Sequence, residues 1–340
     1  MGLFFSLIAF VILVVIGSVG GNIGGLHYIF GVVIPYAAVA VFLVGVIWRI
    51  MKWAKAPVPF RIPTTSGQQK SLDFIPQNKL DNPSTGLGVW GRMALEVLFF
   101  RSLFRNTKAE IRDGKKLIYF DETLLWLFGL IFHWSFLIIF LRHFRFFVDP
   151  APFFVPILQD IDGFFQVGVP IIYMTNAFIL LAVTFLFFRR VFDQKVRYIS
   201  LASDYFPLLL IGGIACTGII MRYFVKTDVV AIKQLAVGLS TFAPIVPDGI
   251  GSIFYIHMFL VCALLIYFPF SKLLHMPGVF LSPTRNMANT NRMKRHINPW
   301  NDEFKLHYHT YEEYEDEFRP FMKAAGIPLD KKEEEAGDVK

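Results

Sequence analysis

Six stretches of the 340-residue chain are apolar over roughly the length that an α-helix needs to cross a bilayer, about 20 residues with few charges. They lie near residues 3–19, 28–48, 124–147, 168–188, 206–224 and 252–275. Apolar side chains occupy nearly the whole circumference of each run. A backbone in hydrocarbon must satisfy its own hydrogen bonds, so the runs read as helices rather than strands. Filling six spans accounts for a composition that is 55% hydrophobic and only 17% charged, well away from that of soluble domains. The same figures argue against a soluble enzyme and a disordered chain, and the presence of only Cys216 and Cys262 argues against a disulfide scaffold.

The first run ends in Gly17, Ser18, Val19, Gly20 and Gly21, small residues of the kind found at a signal-peptide cleavage site. No basic segment precedes it, so it is read as a retained helix. Met1, Gly2 and Ser6 match a myristoylation pattern, but an acyl anchor adds nothing to a chain with six spans.

Lys and Arg collect on one side of these spans. Residues 51–123 hold twelve of them against seven acids, and Arg189, Arg190, Lys195 and Arg197 follow span four. Residues 149–167 carry only Asp149, Asp160 and Asp162, residues 17–27 carry no formal charge, and residues 225–251 balance two Lys against two Asp. The positive-inside rule then places both termini in the cytoplasm of a prokaryotic inner membrane, with span three running outward and span six inward. The formal charge of +7 is thereby explained by topology and gives no reason to invoke nucleic acid.

The chain divides into two N-terminal transmembrane helices (1–50), a basic cytoplasmic loop (51–123), a four-helix core (124–275) and a cytoplasmic tail (276–340). In the loop, Leu95, Leu98, Phe99, Leu103 and Phe104 fall on one helical face, which suits an amphipathic helix among lipid headgroups. The tail is basic at Arg285, Arg292, Lys294 and Arg295, with no acid before Asp302. It turns acidic from Glu312 through Glu317 and again at Glu333–Glu335. Such a split suits a strap facing lipid or a partner, followed by a solvated or partner-bound end.

Ionisable residues within spans are costly and mark function by default. His133 and His143 lie on span three, His257 and His275 on span six. Antiparallel packing brings His133 and His275 to the cytoplasmic side and His143 and His257 to the outer side. Two imidazoles facing each other are what a six-coordinate haem iron requires. Ten residues separate the first pair, about 15 Å of rise and about 80° short of whole turns; eighteen separate the second, about 27 Å and five turns. The second pair therefore shares a face and the first does not, so the helices must cross or bend, and Pro269 is placed to supply a bend. Two isolated cysteines and no C-x-x-C-H motif exclude a four-thiolate iron–sulfur cluster and c-type haem, leaving non-covalent b-type haem. Packing histidines or a proton relay is the alternative on these grounds alone.

Arg142 and Arg145 near the outer end of span three, and Arg222 near that of span five, are candidate partners for haem propionates; snorkelling to the interface serves as well. Asn176 on span four, and the small residues Gly212, Gly213, Cys216, Thr217 and Gly218 on span five, suit helix packing or close approach to a cofactor.

Two His ten apart on one span, then two eighteen apart on a later one, resemble the dihaem cytochrome b gamma subunit of respiratory nitrate reductase, over about residues 28–276. The stretches LHMPGVFLSPTRNMANTNRMKRHINPW from Leu274 and YFDETLLWLFGLIFHWSFLIIFLRHFRFF from Tyr119 look like the DsrM branch, the membrane subunits of the DsrMKJOP complex associated with sulfite reduction. The resemblance implies an all-α membrane protein, a six-helix dihaem cytochrome b bundle with an extra N-terminal helix. It implies two haem b, one held by His133 and His275 and the other by His143 and His257. It also implies menaquinone as diffusible redox partner, a cytoplasmic iron–sulfur (DsrK-like) subunit with the other DsrMKJOP subunits, and DsrC as an indirect partner. No lysine here matches the quinone-site lysine of nitrate reductase; by analogy a quinone lies near the outer haem, with His27 and Arg145 as candidates. The expected function is electron transfer between menaquinone or menaquinol and the iron–sulfur subunit. An ion or proton transporter, or a structural anchor, are the alternatives.

Overall fold

The computed structural model describes residues 1–56, 67–165, 170–225, 227–293 and 309–330, so the HINPW string at 296–300, Lys294, Arg295, Asp302 and Glu333–Glu335 lie outside the described residues. It forms two units, residues 1–290 and 291–340.

All six apolar runs are helical. They correspond to α1 (Gly2–Asn22), α2 (Ile34–Ala54), α5 (Thr123–Phe147), α7 (Met174–Phe192), α9 (Ala202–Tyr223) and α11 (Ser252–Tyr267). Each span, counted with the short helical turns that adjoin α2 and α11, is 19 to 31 residues long and apolar enough to cross a membrane. The side chains that decorate them face outward in numbers no soluble protein tolerates: Phe4, Val11, Ile12, Val15, Val44 and Ile47 all stand exposed, as lipid contact allows.

Packing order follows chain order. Helix α5 packs on α7, α7 on α9 and α9 on α11, while α1 covers α9 and α11, and α2 lies on α11. Ile179, Val183, Leu210, Ile211, Leu260 and Leu264 form the core shared by α7, α9 and α11. Gly17 and Gly21 let α1 approach α11 closely. A Cβ at Gly17 would meet Ile256 Cα at 3.2 Å and one at Gly21 would meet Ser252 O at 2.6 Å. The small residues at the end of the first run are therefore a helix-packing motif of the small-xxx-small kind.

Five features depart from the sequence reading. The amphipathic segment is two helices, α3 (Gly86–Phe99) and α4 (Arg101–Phe104), because Phe100 turns left-handed at φ 51°; Leu103 and Phe104 thus leave the face of Leu95 and Leu98. A hairpin of β1 (Thr107–Arg112) and β2 (Lys116–Asp121) follows. Its turn residues Asp113 and Gly114 have φ of 51° and 71°, the positive pair that an Asp-Gly hairpin turn needs. The loops at the opposite end carry α6 (Phe154–Asp162) and α10 (Val229–Ser240), with Asp228 capping α10 through Val230 N and Ala231 N. Span four begins at Met174, after a short β3 (Gly163–Phe165) and β4 (Ile172–Tyr173) pairing.

The fifth departure concerns span six, which does not run to residue 275. Pro269 sits in a 3-10 turn at Phe268–Phe270, and Ser271 turns extended at φ −114° and ψ 179°, its hydroxyl capping Leu273 N. His275 instead opens a short helix, α12 (His275–Leu281), followed by α13 (Pro283–Asn286) and preceded by the 3-10 turn Lys272–Leu274. The five-turn argument for His257 and His275 therefore fails, since a proline lacking its N–H and an extended serine end the helix between them.

The hairpin is tied to the bundle by ions. Glu122 meets Arg189 at 3.1 Å and Lys108 at 3.3 Å, and Lys108 also reaches Asp193 at 2.7 Å. Ahead of α3, Asp81 takes Arg101 and Arg105. Burial alone would push the Asp81 carboxyl up, but the hydrogen bonds and charges of the two arginines outweigh it and hold the carboxyl below its ordinary value. Stability from this cluster is therefore fully present above the ordinary aspartate range, about pH 4, and is lost as pH falls through the lowered value. Hydrogen exchange across residues 78–105 should accelerate on acidification through that window, and Asp81→Asn should abolish the pH dependence.

In the second unit, α14 (Tyr311–Ala324) begins with a capping box. Thr310 Oγ1 accepts from Glu313 N, and the Glu313 carboxylate accepts from Thr310 N. Glu315, fully buried, accepts from Arg319 at 2.6 Å and from Asp330 N at 2.7 Å.

Candidate functional site

The arc α5–α7–α9–α11 has two ends, and these are the two histidine-bearing helices. Helices α5 and α11 are not among the closely packed pairs, and Phe132 and Ile139 of α5 reach the core that Leu260 and Leu264 of α11 share. At the end where α5 begins, His133 and His275 lie with ring centroids 5.8 Å apart and planes at 86°. At the other end lie His143 of α5 and His257 of α11. Of the two pairs expected from antiparallel topology, His133 and His275 are in ring contact, although His275 reaches its place from beyond the span.

Each ring nitrogen Nδ1 is occupied. His133 Nδ1 bonds Gly129 O at 2.7 Å, His143 Nδ1 bonds Ile139 O at 2.7 Å and His275 Nδ1 bonds Lys272 O at 3.1 Å. A carbonyl only accepts, so the proton sits on Nδ1 and the Nε2 lone pair is free. His257 Nδ1 instead meets Thr217 Oγ1 at 2.9 Å, and that hydroxyl donates to the carbonyls of Gly213 and Ile214 at 2.8 and 3.0 Å. The threonine is thereby an acceptor toward histidine, and the tautomer is the same. Four neutral imidazoles with Nε2 free, two per site, fit a haem iron whose four equatorial ligands come from the porphyrin. Among the described residues there is no cluster of three or more His, Cys, Asp or Glu able to hold a bare metal ion.

His275 is held from outside the membrane spans. Arg92 donates to Thr284 O at 2.8 Å, Arg285 pairs with Glu96 and reaches Ser102 Oγ at 2.9 Å, and Asn289 bonds Asn82 and Pro83 O. These contacts lash α12 and α13 to α3. Trp126 and Trp134 donate to the carbonyls of Phe99 and Leu98 at 2.7 and 3.1 Å, which docks the end of α3 on α5. The left-handed Phe100 sets its ring edge-on to His133, 4.9 Å between centroids.

The three arginines gather around Tyr173 but differ in employment. Arg142, 7% exposed, pairs at 3.0 Å with Asp162, 4% exposed, donates to Thr175 Oγ1 and Asn176 Oδ1, and lies 3.7 Å over the Tyr173 ring. Its charge is already answered. Arg222 donates to Ile171 O at 3.0 Å and stacks on Tyr173, and Arg145 lies over Phe146. Neither has a carboxylate partner among the described residues.

His27 differs from the four. Its Nε2 meets Gly21 O at 3.1 Å, the opposite tautomer, and its ring stacks on Tyr255 at 4.3 Å. Tyr255 is fully buried and its hydroxyl has no hydrogen-bond partner among the described residues. Sequence reading did not single out Tyr255, Tyr173 or Thr175, counted Asp162 only as a loop charge, and met Thr217 only as a small residue. Each acts through a contact with a distant element, which no local spacing encodes.

A multi-pass helical membrane protein with four histidines each hydrogen-bonded through Nδ1 is what fold and site define together. Residues 93–293 match the nitrate reductase gamma subunit family, more than half of the chain, and the chain belongs to that family. It is 49% identical over 280 residues to an Hdr-like menaquinol oxidoreductase cytochrome b-like subunit of Archaeoglobus fulgidus, covering 80% of this chain and 83% of that one. A protein of the same description from Archaeoglobus profundus is 43% identical over 274 residues, covering 78% and 81%.

Proposed function

We propose that the chain is the dihaem cytochrome b subunit of a quinone-linked oxidoreductase, passing electrons between menaquinol in the membrane and a cytoplasmic iron–sulfur subunit of heterodisulfide reductase type. The observation that carries this reading is the ring contact of His133 with His275, together with an Nδ1 hydrogen bond at each of the four imidazoles that leaves Nε2 to serve as a ligand. The two Archaeoglobus relatives, described as parts of Hdr-like menaquinol oxidoreductases, support the quinone and the partner. The finer reading is a DsrM-type subunit within a DsrMKJOP-like assembly, with DsrC as an indirect partner in dissimilatory sulfur metabolism.

Haem iron, when bound, supplies reversible one-electron storage at each pair. The chain's own residues do the rest. His133 with His275, and His143 with His257, hold and orient the two groups, and the apolar helix faces around them keep water out. Arg145 and Arg222 put unanswered positive charge at the outer end, where they would hold haem propionates by charge-assisted bonds. Arg145 there also offers donors to a quinone carbonyl. His27, with its proton on Nε2, keeps Nδ1 as a base for a proton released when quinol is oxidised. The basic loop and tail lie in the cytoplasm by the positive-inside rule, where they meet the iron–sulfur partner.

Adding a reduced menaquinone analogue to the purified complex should reduce the cytochrome, and Arg145→Gln should slow that reduction while leaving reduction by dithionite unchanged. A transporter or an anchor would show no quinol-dependent absorbance change.

A further inference from the structure

Three of the four candidate ligands take their Nδ1 acceptor from the backbone three or four residues earlier, while His257 alone crosses to another helix, bonding the Thr217 side chain on α9 at 2.9 Å. The next residue completes a cradle. A Cβ on Gly218 would stand 3.3 Å from His257 Cε1 and 3.8 Å from its Nδ1, so the imidazole rests directly against the bare backbone of α9. We infer that Thr217 and Gly218 are positioning residues for the outer haem: the hydroxyl sets the tautomer and basicity of His257, and the glycine sets how far its ring stands from α9. The inference rests on the dihaem reading above and extends it to the unequal tuning of the two sites.

The physical argument concerns electron donation. Nδ1–H bonded to an acceptor makes an imidazole a stronger donor to a metal and favours the more oxidised, more positive iron. Thr217 gives its own hydrogen to the Gly213 and Ile214 carbonyls, which polarises its oxygen as an acceptor. A backbone carbonyl acceptor cannot be removed by evolution without refolding a helix turn, but a side-chain hydroxyl can be exchanged at one codon. The outer site is therefore the one whose potential this fold leaves adjustable. Thr217→Val keeps the shape and deletes the hydroxyl acceptor, leaving the weaker contact with the Ile214 carbonyl; Thr217→Ser keeps the hydroxyl.

Potentiometric titration of the purified full-length chain, followed optically and by electron paramagnetic resonance, tests this. The outer haem is identified as the signal that His257→Ala removes. Thr217→Val should move that haem alone toward the reduced form, by about tenfold in the reduced-to-oxidised ratio at fixed potential, or about 59 mV for one electron. Thr217→Ser should restore the original value, and Gly218→Ala should alter the resonance of the same haem. Loss of the outer haem alone in Thr217→Val, with both retained in Thr217→Ser, supports the same inference. Unchanged potentials in Thr217→Val, equal shifts of both haems, loss of both, or failure of serine to restore would overturn it. A wild-type chain that folds without haem would instead defeat the dihaem reading on which it rests.

Discussion

His257→Ala is expected to halve the haem content of the purified chain, and His143→Ala to remove the same haem. The two substitutions combined should cost no more than either alone, because they break one ligand pair and not two independent interactions. His133→Ala and His275→Ala should remove the other haem. Electron transfer from quinol to the surviving group should fall by more than about 100-fold, beyond the 10–100-fold range of changes made one shell further from a metal. Haem content measured by pyridine haemochrome, with resonance spectra to tell the two groups apart, checks the pairing. A crossed pattern, in which His257 and His133 govern one haem, would contradict the antiparallel arrangement of α5 and α11.

The largest stability effect is expected at Asp162. Its carboxylate accepts from Thr175 N at 2.9 Å and from Thr175 Oγ1 at 2.6 Å and forms an ion pair with Arg142 at 3.0 Å, all of them buried. It thereby joins the end of α6 to the start of α7 and neutralises the guanidinium that rises from α5. Asp162→Ala leaves Arg142 charged, buried and beside Arg222 on the shared Tyr173 ring, with nothing to offset it. Breaking one side of a buried pair costs about 3–5 kcal/mol, and thermal unfolding in detergent should show a large fall in midpoint. Replacing both partners by apolar residues of similar size, as in Arg142→Met with Asp162→Leu, should recover much of the loss, since a well-packed apolar pair carries no desolvation cost. The same double variant separates the roles of the arginines: Arg142 is engaged by Asp162, so the outer haem potential should respond more to Arg145→Gln or Arg222→Gln.

Much of this architecture is legible in the sequence because a bilayer imposes a simple rule. Length and apolarity find all six spans, though span four starts at Met174 and span six ends before residue 275, and against so apolar a background four histidines stand out. What is not legible depends on contacts made after folding. The break between His257 and His275 is signalled by Pro269, but whether a proline kinks a helix or ends it depends on what fills the gap. Here Gly45 of α2 provides the room, as a Cβ there would meet Pro269 at 2.7 Å. The left-handed Phe100 has no sequence signature at all; it is held by the docking of α3 on α5 through Trp126 and Trp134. The β1–β2 hairpin, which the sequence reading missed, carries a turn signal only at Asp113-Gly114, because Leu117–Phe120 form a continuous apolar run rather than an alternating one. The bond between Thr217 and His257 spans forty residues, and no local pattern announces it.

The most direct test of the whole account is the dithionite-reduced minus oxidised absorption spectrum of the purified full-length chain, with its haem quantified against protein. Two b-type haems per chain, both lost once one histidine of each pair is replaced, is the result the account predicts. A well-folded chain with no haem bands would contradict it.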